Sequence, residues 1–370
     1  MRRIVVKLGS SVVAGSDGTL RAQVLAGICD ELSALHSAGQ EAILVTSGAI
    51  ARGMRVMELE RRPSTIGELQ AASAVGQGKL YRVYDELLRE RGVTSAQILL
   101  TFFDMSARTH YLNARQTLTT LLEWRVLPVI NENDTTATDE ISFGDNDFLA
   151  AQVAVLVGAD ELILMTDIEG LYTADPRLHP QARIVTEVTD FAALHELEIG
   201  HTTSPLGSGG MRSKVVAAEM ATAAGIGTWI CNGLDPANLG AVLAGEARGT
   251  HFPAGEARYS SFKLWLKYAK PARGTLEVDA GAARALRGGS ASLLPVGVTA
   301  VIGDFEAGDA VEIIEPETPG AGRPRPLAKG ICSYSAAELR QVIGMQSEAI
   351  REVLPRGSDE AVHRDYLVID

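Results

Sequence analysis

Six short runs of this chain are apolar almost from end to end: residues 3–8, Ala42–Thr46, Ala96–Thr101, Val126–Ile130, Leu162–Thr166 and Thr228–Cys231. A strand with one face in water alternates apolar and polar residues, whereas a continuous apolar run suits a strand buried on both faces of a parallel sheet. Helical patterns separate the runs. Leu25, Ile28, Leu32 and Leu35 recur at three-and-four spacing, and 65–90, 106–124, 146–157 and 211–224 also favour helix. Strands and helices alternating in this way predict a three-layer αβα sandwich around a mainly parallel sheet, with ligands bound at the carboxyl ends of the strands. Chemistry is therefore to be sought immediately after each run.

The alternation stops near residue 252. Beyond Lys267 the sequence turns Gly-rich, with short strand-like pieces and no long amphipathic helix, which predicts a second, small β-rich domain. A chain of 370 residues suits two domains, because single cores stop growing near about 250–300 residues. The expected division is a catalytic domain over 1–255, the β-rich domain over 272–350 and a polar tail over 351–370. The Pro- and Gly-rich segment 315–326 reads as an exposed loop within the second domain.

Composition removes several alternatives. Apolar residues make up 46% and charged residues 22%, and no stretch nears the ~18 apolar residues of a spanning helix. The first ten residues are too short and strand-like for a signal peptide, so a cytoplasmic protein without membrane attachment is expected. Cys29, Cys231 and Cys332 fit neither a zinc nor a redox spacing, and read as thiols in a reducing compartment. A formal charge of −12 opposes non-specific binding to nucleic acid or anionic lipid.

The first run ends in "KLGSS". Lys7 there can place a compact positive charge on phosphoryl oxygens and Gly9 can let backbone amides approach them, or the pair can be a solvated lysine and a turn glycine. The second ends in "TSGAI", where Ser47 and Gly48 open a helix suited to an anion or simply cap it. The fifth ends in "LMTDIEGLYTADPR", placing Thr166 and Asp167 at the strand end. The loop "SPLGSGGMRSK" then opens a helix with Lys214 in its first turns, though without the P-loop order of residues. Two lysines, glycine amides and a metal would serve phosphoryl transfer, which asks for positive charge and an in-line acceptor more than covalent help. A carboxylate acceptor is already ionised at pH 7 and needs no general base.

The strings "VVKLGSSVV", "VTSGAIARG", "LNARQTL", "PVINENDTTAT", "FGDNDFLAA", "LMTDIEGLYTADPR" and "GSGGMRSK", in that order, resemble the glutamate 5-kinase family, a branch of the amino acid kinases. The segment 272–350 resembles the PUA domain that many bacterial members append. The resemblance implies ATP-dependent phosphorylation of the side-chain carboxylate of L-glutamate to γ-glutamyl phosphate, the first step of proline synthesis, with proline as feedback inhibitor and Mg²⁺ carried mainly by the nucleotide phosphates. It implies that Lys7 and Lys214 stabilise the transferring phosphoryl group with Asp147 orienting them, and that Ser47, Asp134 and Asn146 bind glutamate. It further implies that Thr166, Asp167 and the loop Ser208, Gly209, Gly210, Met211, Arg212, Ser213 and Lys214 bind the nucleotide, Lys7 also touching its phosphates. Ser208 stands where threonine is common, and Arg212 where a smaller polar residue is frequent. A homo-oligomer, dimer or tetramer, and delivery of the labile product to a γ-glutamyl phosphate reductase follow from the same resemblance.

The acidic loop "NENDTTATDEISFGDNDF", Asn131 to Phe148, at first suggests a metal. It lacks the glycine and terminal glutamate of a calcium loop. With glutamate as ligand it makes better sense as an ammonium clamp, because a buried ammonium needs acceptors that Asp134 and Asn146 can supply. Glu132, Asp139, Glu140 and Asp145 have no role in this reading. Acetylglutamate, carbamate or a nucleoside monophosphate as acceptor, and RNA binding through Arg323, Arg325 and Lys329, are the competing readings.

Overall fold

A computed structural model describes residues 1–370 apart from 16, 102–103, 106, 137–145, 192–193, 195–209, 257–260, 265, 268–269, 290, 316–325, 347–348, 351–352, 355–357 and 370. The chain forms two compact units, Met1–Arg258 and Tyr259–Asp370.

The first unit runs β1 (Arg3–Leu8), α1 (Ser10–Val13), α2 (Ala22–Ser37), β2 (Glu41–Val45), α3 (Ala49–Val56), α4 (Ile66–Glu90), β3 (Ser95–Leu100), α5 (Arg108–Glu123), β4 (Leu127–Glu132), α6 (Asn146–Val157), β5 (Glu161–Thr166), α7 (Met211–Ala223), β6 (Gly227–Asn232), α8 (Ala237–Leu243) and β7 (Thr250–Phe252). All six apolar runs are strands, and with β7 they form one sheet of order β3-β4-β2-β1-β5-β6-β7, in which β3, expected to be buried on both faces, is an edge strand and only partly covered. Their pairings are parallel, in registers such as Val6 opposite Leu44 and Ile163. The short β7, which has too few residues to show a pattern, adds an antiparallel edge on β6. From β1 the chain steps to β2 on one side and later, after β3 and β4, to β5 on the other. This reversal of strand order opens a crevice at the carboxyl ends of the central strands. One face of the sheet packs Val6, Leu8, Leu44 and Met165 against Leu25, Ile28 and Leu32 of α2 and Leu80 and Tyr84 of α4.

Helix α4 is seated unusually closely. A capping box joins Thr65 and Glu68 at its start. It then crosses α3 with glycines at the contact: a Cβ on Gly76 would lie 1.9 Å from the Ala49 carbonyl oxygen, and one on Gly53 1.7 Å from that of Ala72. Only residues without side chains allow this approach, and it turns Ser73, Gln77 and Tyr84, one stripe of α4 at four-and-seven spacing, toward the strand ends.

The second unit contains α9 (Ser261–Leu264), β8 (Ala272–Val278), α10 (Ala280–Arg287), β9 (Val298–Gly303), β10 (Ala310–Ile314), β11 (Pro326–Cys332), α11 (Ala336–Val342) and β12 (Val362–Ile369). Its sheet has the order β12-β11-β10-β8-β9. The stretch 351–370, expected as a tail, instead ends in a strand of this sheet: β12 pairs antiparallel with β11, Lys329 opposite Val368 and Gly330 opposite Leu367. Val362 and Leu367 bury against the core formed with Leu276, Ile313 and Leu339, and this burial outweighs the polar middle of the segment.

Candidate active site

Lys7 is the penultimate residue of β1, with side chain wholly buried among apolar neighbours. An ammonium so placed must be paired. Its Nζ lies 2.5 Å from Asp147 Oδ1, and Asp147, the second residue of α6, is equally buried. The other carboxylate oxygen, Oδ2, accepts from Lys214 Nζ at 2.9 Å and from Ser213 Oγ at 3.2 Å. Helices α6 and α7 pack together, which brings Lys214, in the first turn of α7, to the start of α6. Two ammonium groups thus share one carboxylate at the carboxyl end of β1. Lys7, Lys214 and Asp147, named from the sequence, lie together. The Gly9 N–H donates to the Met165 carbonyl at 3.0 Å, so that amide is engaged within the sheet.

Asn146, immediately before Asp147, reaches the opposite way. Its Nδ2 donates to the Thr46 carbonyl at the end of β2 and to Asn131 Oδ1, 2.6 Å away on β4. Asn131 in turn donates from its own Nδ2 to Gln77 Oε1 of α4 at 2.5 Å. Thr46 Oγ1 is 2.8 Å from the Tyr84 hydroxyl, whose pKa burial pushes upward. Ser47 is buried directly after β2, followed by Gly48 at φ +100°, a left-handed turn that starts α3. Asp134, just past β4, accepts from Ser73 Oγ of α4 at 2.5 Å. Burial raises the pKa of this carboxyl, while the Ser73 hydrogen bond and the positive charge of Arg62 pull it down without cancelling the rise.

Thr166 ends β5 and is buried, and its Oγ1 donates to Asp167 Oδ1 at 3.2 Å. Gly210 precedes α7, Met211 opens it, and Arg212 is exposed. Ser208, Gly209, Asp139, Glu140 and Asp145 lie outside the described residues, as do Arg323 and Arg325. Lys329 lies on β11 and donates to the Lys267 carbonyl at 3.4 Å. Among the described residues no group of three His, Cys, Asp or Glu side chains is arranged to hold a metal ion. No helix among them is long and apolar enough to cross a membrane. Cys29, Cys231 and Cys332 are buried free thiols.

Sequence reasoning missed Thr46, Ser73, Gln77, Tyr84 and Asn131. Three of them lie on α4, where Ser73, Gln77 and Tyr84 follow the spacing of Ala72, Gly76 and Leu80 on the inward face, a spacing that marks the face but not the partner.

Comparison with known proteins agrees with this architecture. The model of the Amino acid kinase family matches residues 2–232, and that of the PUA domain matches 274–354. A glutamate 5-kinase from Meiothermus ruber is 44% identical over 369 residues, covering 100% of this chain and 96% of that enzyme. Glutamate 5-kinases from a Polaromonas species and from Ralstonia nicotianae are each 46% identical over 369 residues, with 96% and 97% of those enzymes covered. Matches spanning the chain at this identity, together with a buried lysine pair at the strand ends, place the chain in the amino acid kinase family, among its glutamate 5-kinases with a C-terminal PUA domain.

Proposed function

We propose that this protein transfers the γ-phosphoryl group of ATP to the side-chain carboxylate of L-glutamate, giving γ-glutamyl phosphate and ADP and opening proline synthesis. The observation that carries this reading is the divided start of α6. Asn146 faces β2 and β4 with amide chemistry suited to an amino acid, while Asp147 faces β1 and α7 and gathers two lysines suited to phosphate. Two consecutive residues therefore join an acceptor half-site to a phosphoryl half-site.

In this reading Lys7 and Lys214 hold the oxygens of the transferring group, and Asp147 keeps both ammonium groups charged and in place before ATP arrives. Preorganised charge of this kind lowers the barrier because little has to reorient as the transition state forms. The glutamate carboxylate attacks as an anion, so no side chain need remove a proton. Ser47, Asp134 and Asn146 hold the amino-acid end, Asp134 as a carboxylate facing the α-ammonium. Thr166, Asp167 and the loop Ser208 to Lys214 receive the nucleotide. Both oxygens of Asp147 already face lysines, so this carboxylate is not free to hold Mg²⁺, which would come with the nucleotide phosphates and would supply charge neutralisation. Inhibition by proline, assembly as a dimer or tetramer and delivery of the acyl phosphate to a reductase belong to the same proposal. So does a cytoplasmic setting, supported by the use of ATP and the buried free thiols.

Purified protein with ATP, Mg²⁺ and L-glutamate should trap γ-glutamyl hydroxamate when hydroxylamine is added, and added proline should slow this at sub-saturating glutamate. Product from another acceptor with none from glutamate would overturn the reading.

A further inference from the structure

The hydrogen bonds around Asn146 have a direction fixed by the backbone. The Thr46 carbonyl can only accept, so the side-chain atom of Asn146 beside it must be the amide nitrogen. The second proton of that nitrogen goes to Asn131 at 2.6 Å, so Asn131 must present its oxygen there. Asn131 then has its own nitrogen turned toward Gln77, 2.5 Å away, and Gln77 must answer with Oε1. The backbone carbonyl sets the sense of Asn146, and each acceptor further along, Asn131 and then Gln77, keeps the amide before it in that sense. Both protons of Asn146 are consumed. Its Oδ1 receives no hydrogen bond from the described residues, although the residue is only 7% exposed. What the site can offer a ligand at this position is an acceptor.

From this we infer that Gln77 is a positioning residue. Acting through Asn131, it holds Asn146 with its carbonyl oxygen toward the acceptor substrate, and so makes the half-site select an acid bearing an ammonium group. The inference rests on glutamate being the acceptor. An ammonium donates to Asn146 Oδ1 and to the Asp134 carboxylate, whereas an acid without the amino group leaves Asn146 Oδ1 desolvated and unanswered and the Asp134 charge answered by a hydroxyl and no cation of the substrate. If Gln77 could not accept, Asn131 would lose the partner that keeps its nitrogen turned away from Asn146. It could then flip and offer a donor, and the second Asn146 proton would lose its acceptor, leaving Asn146 held at the Thr46 carbonyl alone and free to turn away from the substrate. The glycine contact between α3 and α4 keeps Gln77 within reach of Asn131 without a flexible side chain in between.

The test compares the wild-type chain with Gln77→Met, which keeps length but cannot accept, and Gln77→Glu, which still accepts. KM for glutamate, KM for ATP and kcat are measured by hydroxamate trapping, with glutarate, the same diacid without the amino group, as competing acceptor. Gln77→Met should raise the glutamate KM by about tenfold, the worth of one well-placed hydrogen bond. It should leave the ATP KM within about twofold, as expected when only acceptor binding is touched. Preference for glutamate over glutarate should narrow, and Gln77→Glu should restore both values. Equal changes in the two KM values, an unchanged glutamate KM, or a Gln77→Glu variant as impaired as Gln77→Met would overturn the inference while leaving the proposed reaction intact. Failure of the wild-type chain to form hydroxamate from glutamate would instead overturn the reaction on which it rests.

Discussion

The Lys7 ammonium stands 2.5 Å from Asp147 Oδ1 with both side chains fully removed from solvent. A pair so placed forfeits the hydration of two ions, and such pairs are seldom the most stabilising choice for an interior. Its presence beneath the strand ends is better explained by what it readies: a fixed positive charge near the surface of a crevice that an anion enters.

Replacing Asp147 with Asn leaves two ammonium groups facing a neutral amide. Breaking a buried pair from one side typically costs about 3–5 kcal/mol, so the melting temperature should fall. The rate should fall by about 10²-fold or more, as when one transition-state donor is lost. Normal turnover in Asp147→Asn would refute the organising role.

Lys214 separates charge from shape. Lys214→Ala should lower kcat by about 10²–10³-fold with the glutamate KM little changed, because the lost contact belongs to the phosphoryl group. Lys214→Arg should recover only part, since a planar guanidinium cannot occupy the place of a compact ammonium beside Asp147. Steady-state kinetics in both substrates decides this, and full recovery in Lys214→Arg would show that charge alone suffices.

Asp134 should link glutamate binding to pH. Asp134→Ala is expected to raise the glutamate KM by about 10²-fold and the ATP KM hardly at all, the cost of leaving an ammonium without its charged acceptor. The carboxyl pKa is raised by burial, so as pH falls its charge is lost sooner than that of an ordinary aspartate, and the wild-type glutamate KM should climb accordingly. The sign for stability is opposite. A buried carboxyl with a raised pKa disfavours the folded state once it ionises, so Asp134→Asn should melt higher than wild type at pH 7, with the difference closing at acid pH. A KM for glutamate that ignores pH in the wild type would remove Asp134 from this role.

Gly76→Ala should damage stability rather than chemistry alone. A Cβ placed 1.9 Å from the Ala49 carbonyl oxygen forces α3 and α4 apart, an overpacking expected to cost about 1–3 kcal/mol or more. Thermal melting detects it, and an unchanged melting temperature would show that the helices separate freely.

Truncation before Val362 removes β12 from the edge of the second sheet and exposes the backbone of β11. The second unit should become sensitive to protease. A truncated protein as resistant as the full chain would mean the strand is dispensable.

The sequence disclosed what depends on composition over several residues and hid what depends on single contacts. Five buried strands were legible because a parallel strand covered on both faces cannot alternate, the sixth run, β3, is an edge strand that is apolar without being covered, and Lys7, Asp147 and Lys214 were legible from the motifs around them. Thr46, Ser73, Gln77 and Asn131 were not, because an amide or hydroxyl on a helix or strand end looks the same in sequence whether it faces water or a partner. β12 was hidden by its polar middle, His363 to Tyr366, which lies on an edge strand and need not be apolar. Tertiary pairing, not local pattern, made it a strand.

The glycine crossing of α3 and α4 has a mechanical consequence. Side chains at a helix contact can change rotamer and let the helices slide, but here carbonyls and amides abut with nothing between them. Displacing α4 therefore means displacing α3, and with it the turn that carries Ser47. Ser47, Ser73 and Gln77 behave as points on one stiff plate, and the clearance around the acceptor is set by the backbone rather than by side chains that can be exchanged.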